Sequence, residues 1–163
     1  RHSPIFGLFI NASFFKPVDL FHTTIDDWEG HLQVNLTTPF LLTQKFAESY
    51  NEDGVGRIIN MLDWRALRPG VDHFPYTISK SALAALTKAA ARKLAPAICV
   101  NGIALGAILP PEGEIESANL INSVPMKRWA TLDELTKTVL FLLDGPDYIT
   151  GEIIHLDGGR HLV

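Results

Sequence analysis

Tyr76 and Lys80 stand four residues apart, so on a helix they share one face with a single turn between them. An ammonium beside a phenol favours the phenolate and lowers its pKa, the chemistry of a proton donor that works near neutral pH. Asp63, thirteen residues before the tyrosine, follows the apolar run Arg57-Ile58-Ile59-Asn60-Met61-Leu62 and could join the pair across the intervening loop. Tyrosine and lysine at helical spacing are common, so the weight of the pair rests on its surroundings. Those read as a strand ending near Leu62, an active loop, and an Ala-rich helix Ser79–Leu94.

The elements that must position these residues belong to a chain of 163 residues, enough for one domain with a real core. Apolar content of 47% with 20% charged residues excludes a disordered chain, and a net charge of −4 without a basic patch argues against nucleic acid. No apolar run reaches the roughly 18 residues a membrane helix needs. The single cysteine, Cys99, excludes an internal disulfide, suits a reducing compartment such as the cytoplasm, and sits in apolar Ala97-Ile98-Cys99-Val100 as core. Arg1-His2-Ser3-Pro4 leads directly into a strand-like run with no Met, signal peptide or Gly-rich loop, so the chain is expected to begin inside a domain.

Ile5–Ile10 is a continuous apolar run, expected as a parallel strand covered on both faces, and it ends in Asn11-Ala12-Ser13-Phe14-Phe15. Ligands of open α/β sheets sit at that carboxyl edge. Thr24, with an acid three residues later, caps a helix expected to run to about Ser49, with Asn35 buried inside it. Arg57–Leu62, Cys99–Ile103 and Glu152–Leu156 read as further strands. A loop follows at Pro110-Pro111-Glu112-Gly113, then a weak helix around Ile115–Ser123, and a capping box at Thr131–Glu134 opens a helix through Leu143. Strands alternating with helices predict an α/β fold, a doubly wound parallel sheet.

Taken together, Asn11-Ala12, Asn35 in Val34-Asn35-Leu36, Tyr76 with Lys80, Asn101 with Gly106, and Thr150-Gly151…Asp157-Gly158-Gly159 resemble the C-terminal two-thirds of a short-chain dehydrogenase/reductase. The resemblance covers essentially the whole chain and implies a Rossmann-type reductase domain lacking its N-terminal strand and Gly-rich pyrophosphate turn. It implies Tyr76 as proton donor, Lys80 on the nicotinamide ribose, and Asn35 holding a helix kink and a relay water. Asn11, Ala12, Ser13, Gly106, Ala107 and Ile108 would border the cofactor, although Leu105 replaces the family's usual Pro. The cofactor is expected to be NADPH; NAD stays open, because the selecting residue would lie in the N-terminal third.

Most members of that family carry a serine where this chain has Asp63. An ionised carboxylate would repel the oxyanion that grows during carbonyl reduction. It can, however, deliver a proton to a ring nitrogen, or accept from ring N–H and amino groups. An Asp at this place is similar to the pteridine reductases and dihydromonapterin reductases, as are Asn11-Ala12-Ser13 and the tail Asp157-Gly158-Gly159-Arg160-His161-Leu162. Phe15 falls where pteridine reductases stack an aromatic on the pterin, and Ser13 would touch pterin or cofactor. The implied reaction is hydride transfer to a pterin ring carbon, with protonation through Tyr76, Lys80 and Asp63. Two alternatives stand beside it: a carbonyl or 3-oxoacyl reductase, and an inactive fragment or assembly module. The weakly polar helices Trp28–Ser49 and Ser79–Leu94 suggest a homotetramer or homodimer, in which Arg160 or His161 would reach a neighbour's site. His73, His155 and His161 lack metal-ligand spacing, so no metal is expected; Met126 and Trp129 are read as packing.

Overall fold

The computed structural model describes residues 5–51, 54–109 and 120–163. Four strands, β1 (Gly7–Ile10), β2 (Gly56–Asp63), β3 (Ile98–Leu105) and β4 (Ile153–Leu156), pair in parallel in the order β1-β2-β3-β4. Asp63 pairs with Leu105, so β2 and β3 end level and their carboxyl ends open onto one edge. Parallel pairing needs a crossover after each strand. These are α1 (Ile25–Leu32) and α2 (Thr38–Ser49), then α3 (Phe74–Leu94), then α4 (Leu132–Asp144).

The apolar runs of β2 and β3 alternate sides in the way a doubly covered strand requires. Ile58, Leu62, Val100 and Ala104 meet α2 and α3 through Phe46, Leu83, Ala84 and Ala91. Ile59, Met61 and Ile103 face Leu135, Val139 and Leu142 of α4 on the other side. Ile58, Val100 and Ile103 are fully buried, each such side chain contributing about 1.5–3 kcal/mol. The alanines of α3 let its axis lie close to β2 and β3. That closeness lets a residue in its first turns reach a strand end.

Several elements differ from the sequence reading. The helix expected as one piece to Ser49 is broken by a π-helical turn, Gln33–Thr37, centred on Asn35. Helix α3 begins at Phe74, five residues earlier than Ser79, because Pro75 fits the first turn, where no N–H is needed. Strand β3 is longer than Cys99–Ile103, since Ile98, Ala104 and Leu105 continue its pairing. Strand β1 is not covered on both faces: Leu8 and Ile10 pack beneath α2, but Phe9 is 42% exposed, no described helix crossing it. The loop Pro110-Pro111-Glu112-Gly113 and most of the helix read over Ile115–Ser123 lie outside the described residues; 120–123 are helical.

Asn101, mid-strand in β3, is buried and uses both ends of its amide. Its Nδ2 donates to Ile149 O at 2.8 Å and its Oδ1 accepts from Glu152 N at 3.0 Å, tying the approach of β4 to the sheet. Truncation strands two backbone groups without partners. Asn101→Ala is therefore expected to lower unfolding stability by roughly 2–4 kcal/mol, read by chemical denaturation.

Candidate active site

The carboxyl end of β2 supplies the first group. Asp63 caps the 3₁₀ turn Trp64–Ala66, its Oδ1 accepting from Arg65 N at 2.8 Å, which fixes the carboxylate at the sheet edge. Tyr76 and Lys80 lie a turn apart on α3, on the face toward β2. Tyr76 Oη donates to Asp63 Oδ2 at 3.3 Å, so the three residues read from the sequence meet. That bond is longer than a relaxed O–H···O contact and has room to tighten. The Lys80 stem runs under the phenol; Nζ donates to Met61 O at 2.8 Å and lies 5.9 Å from the Tyr76 ring centroid.

Asn35 is the anchor behind them. Fully buried, it accepts from Phe14 N at 2.7 Å and Ser13 Oγ at 3.4 Å, and donates to Phe14 O and Ser79 Oγ at 2.9 Å each. Both ends of the amide are thereby filled, and the loop after β1 is pinned to α3. The π turn is what carries this side chain inward to do so. Ser13 and Phe15 follow from that pin: Phe15 stacks on His73 with centroids 4.7 Å apart and meets Tyr76 edge-on at 4.7 Å. Phe14, itself 37% exposed, packs instead on the buried His31, with centroids 4.5 Å apart, so only Phe15 of the two lines the cavity.

The electrostatics run opposite to the simple expectation from the Tyr76–Lys80 spacing. The Tyr76 phenol is raised above its ordinary pKa, first by burial and then by the Asp63 charge and hydrogen bond, with Ser13 pulling only weakly the other way. The reason is geometric: Asp63 sits on the hydroxyl, while the ammonium is turned toward a strand carbonyl. Lys80 itself, 2% exposed, is lowered to about 8 by burial, with Asp63 opposing.

A cavity of about 780 Å³ opens over these groups. Asn11, Ser13, Phe15, Asp63, Tyr76, Lys80, Gly106, Ala107 and Ile108 all line it. Ala12 is exposed and does not, and Asn35 stands behind the wall. Gly106 is required by a close approach: a Cβ there would lie 2.6 Å from Asp157 Cα. Lys80 has donors to spare beyond Met61 O, and with the Tyr76 hydroxyl and Asn11 amide it offers a set suited to sugar hydroxyls and an amide. The described residues thus fit the ribosyl-nicotinamide end of a dinucleotide.

Sequence reading missed Trp64, Arg65 and His73 as lining residues and assigned Trp129 to packing, whereas all four face the cavity. Arg160 lines the cavity of its own chain as well, a placement the sequence reading did not give it. The signal for Trp64 and Arg65 was adjacency to Asp63; for Arg160 only the tail's fold reveals it. Among the described residues there is no cluster of three or more His, Cys, Asp or Glu placed to hold a metal ion, and no helix long and apolar enough to cross a membrane.

Comparison with known proteins agrees with this geometry. A family model described as enoyl-(acyl carrier protein) reductase matches residues 1–161. The 3-oxoacyl-[acyl-carrier-protein] reductase FabG of Aquifex aeolicus is 32% identical over 155 residues, covering 91% of this chain and 62% of that protein. The 2-dehydro-3-deoxy-D-gluconate 5-dehydrogenase of Bacillus subtilis is 34% identical over 142 residues, covering 82% of the chain and 56% of that protein. Among solved structures, the FolM alternative dihydrofolate reductase 1 of Brucella canis, complexed with NADP, superposes with a TM-score of 0.92 at 35% identity, covering 98% of this chain and 64% of that one. The chain therefore spans under two-thirds of the length of these relatives. Match, topology and site together show that it belongs to the short-chain dehydrogenase/reductase family.

Proposed function

We propose that the complete protein is an NADPH-dependent reductase of a cyclic C=N bond in a pterin of the dihydropteridine, dihydromonapterin or dihydrofolate type. The observation that carries this reading is the Tyr76–Asp63 hydrogen bond, a phenol paired with a carboxylate where carbonyl reduction asks for a hydroxyl donor. The likeness to the NADP complexes of the Brucella FolM proteins supports the cofactor and the substrate class. Asn11, Tyr76, Lys80 and the Gly106–Ile108 segment would hold the nicotinamide end, and the cofactor when bound supplies the hydride. Phe15, exposed on one face and held by His73 and Tyr76, suits a flat electron-poor ring.

The residues of the chain then handle the proton. Tyr76 and Asp63 cannot both be anionic without a large cost, so the pair keeps a proton between Oη and Oδ2 at neutral pH. A ring nitrogen that gains basicity as its neighbouring carbon is reduced takes that proton from the pair. Lys80, and Arg65 with Nη1 at 3.7 Å from Asp63, lower the cost of the negative charge left behind. The 3-oxoacyl reductase reading is favoured by one specific finding, the 3-oxoacyl-[acyl-carrier-protein] reductases of Aquifex aeolicus and Synechocystis at 32% and 28% identity. The apolar groove of α2 and α3 lined by Phe40, Ala47, Leu86 and Ala90 supports a further proposal, that these helices pack on a second copy.

Steady-state assay of a dihydropterin against a 3-oxoacyl thioester decides between the two substrates. Tyr76→Phe is expected to lower kcat for the dihydropterin by roughly 10²–10⁴-fold. Asp63→Ser should move the kcat/KM ratio toward the thioester. Brisk thioester turnover by the unaltered protein, with the dihydropterin ignored, would overturn the pterin reading.

Lys80 gives a second, opposed pair of outcomes. Its folded pKa of about 8 lies below the ordinary 10.5. Between those values the unfolded chain binds the extra proton, so stability rises with pH across that window and the burial cost is fully present below about 8. At pH 7 Lys80→Met should therefore raise Tm, each kcal/mol being worth about 2–4 °C in a chain of this size. The same variant should lose most activity, and kcat of the unaltered protein should fall as pH rises through about 8, where the ammonium that offsets the anion is lost.

A further inference from the structure

Arg160 lines the catalytic cavity but takes no part in the bonds among Asp63, Tyr76 and Lys80. Its guanidinium lies 4.4 Å from the centroid of Trp64, the residue next to Asp63, and that of Arg65 lies 4.9 Å from the same centroid. The two cations differ in one respect. Arg65 is neutralised, 3.1 Å from Asp72 and 3.7 Å from Asp63, whereas Arg160 has no carboxylate within salt-bridge distance among the described residues. Burial and then the Arg65 charge push the Arg160 pKa down, with Asp63, Asp72 and Asp157 opposing from beyond salt-bridge distance.

The tail is built to keep it there. Asp157 accepts from Gly159 N and His161 N at 2.9 Å each, and its Oδ2 lies 2.8 Å from His161 Nδ1. Arg68 Nη1 donates to the Arg160 carbonyl at 3.3 Å. Gly158 and Gly159 take the left-handed conformations, φ 63° and 84°, that turn the chain back over Trp64. A preorganised guanidinium with no paired carboxylate among the described residues, in a cavity where Arg65, Lys80 and Arg160 face Asp63 as the one carboxylate among the described lining residues, is a place for a ligand anion.

We propose that Arg160, backed by Trp64, is the subsite for a carboxylate on an arm of the substrate, and that it selects pterins with an anionic side chain, as in dihydrofolate, over those with an uncharged one. The proposal rests on the pterin reading above. Its test is kinetics and binding in the complete protein with dihydrofolate, dihydrobiopterin and NADPH, the last being the other anion source. Arg160→Met keeps the stem over Trp64 and removes the charge. It should raise KM for dihydrofolate, and Kd for folate by calorimetry, by roughly tenfold or more, while changing the dihydrobiopterin and NADPH values less than about twofold. Arg160→Lys should recover part of the loss, and of the two pterins added salt should weaken only dihydrofolate. Equal losses for both pterins, no loss for either, or a rise confined to NADPH each overturn the proposal, with pterin reduction intact. If neither pterin is reduced by the unaltered protein, the pterin reading falls and this inference with it.

Discussion

The bond between Tyr76 Oη and Asp63 Oδ2 joins two elements that the chain brings together from opposite directions. One is the carboxyl end of a buried parallel strand, the other the first turn of the helix that returns from it. Everything else in the site is arranged so that these two oxygens meet. The alanines of α3 allow the helix to lie close, Pro75 lets it start early enough, and Arg65 N holds the carboxylate from below. A site assembled at the junction of strand and crossover helix inherits the rigidity of the sheet. Its chemistry is then set by which side chains are placed there.

The same region holds a group that weakens the fold at neutral pH. The nearly dry ammonium of Lys80 is held against its preference for water, whereas the Tyr76 phenol, its ionisation suppressed by burial and Asp63, simply stays neutral. The buried ammonium persists because the surrounding core, with fully buried Ile58, Val100 and Ile103, more than offsets it. The carboxylate also reverses the role that the lysine spacing alone suggests. The ammonium does not acidify the phenol directly; it tempers the charge of a pair.

Much of this was legible in the residues. The apolar runs of β2 and β3 and the two capping boxes at Thr24 and Thr131 are local patterns, and each appears where its pattern puts it. Tyr76 and Lys80 announce a shared face by spacing alone, and Asp63 by its place at a strand end. What stayed hidden depends on long-range geometry. The inversion of the Tyr76 shift requires knowing that Asp63 Oδ2 rather than Lys80 Nζ reaches the hydroxyl. The half-covered face of β1 requires knowing which helices cross it. Arg160 reaches the cavity through a turn made by Asp157 and two left-handed glycines, and no periodicity reports that.

The π turn at Gln33–Thr37 has a consequence for how this chain can vary. Thr38 N–H reaches back five residues to Gln33 O, so one residue is accommodated there beyond a regular helix. Loss of a single residue from this stretch would restore an ordinary helical ladder while rotating α1 relative to α2 by about 100°. The amide of Asn35 would swing off Phe14 and Ser79, and the loop carrying Ser13 and Phe15 would lose its fastening. Length changes tolerated in surface loops are thus barred from this one helical turn, which acts as a phase adjuster between the sheet and the mouth of the pocket.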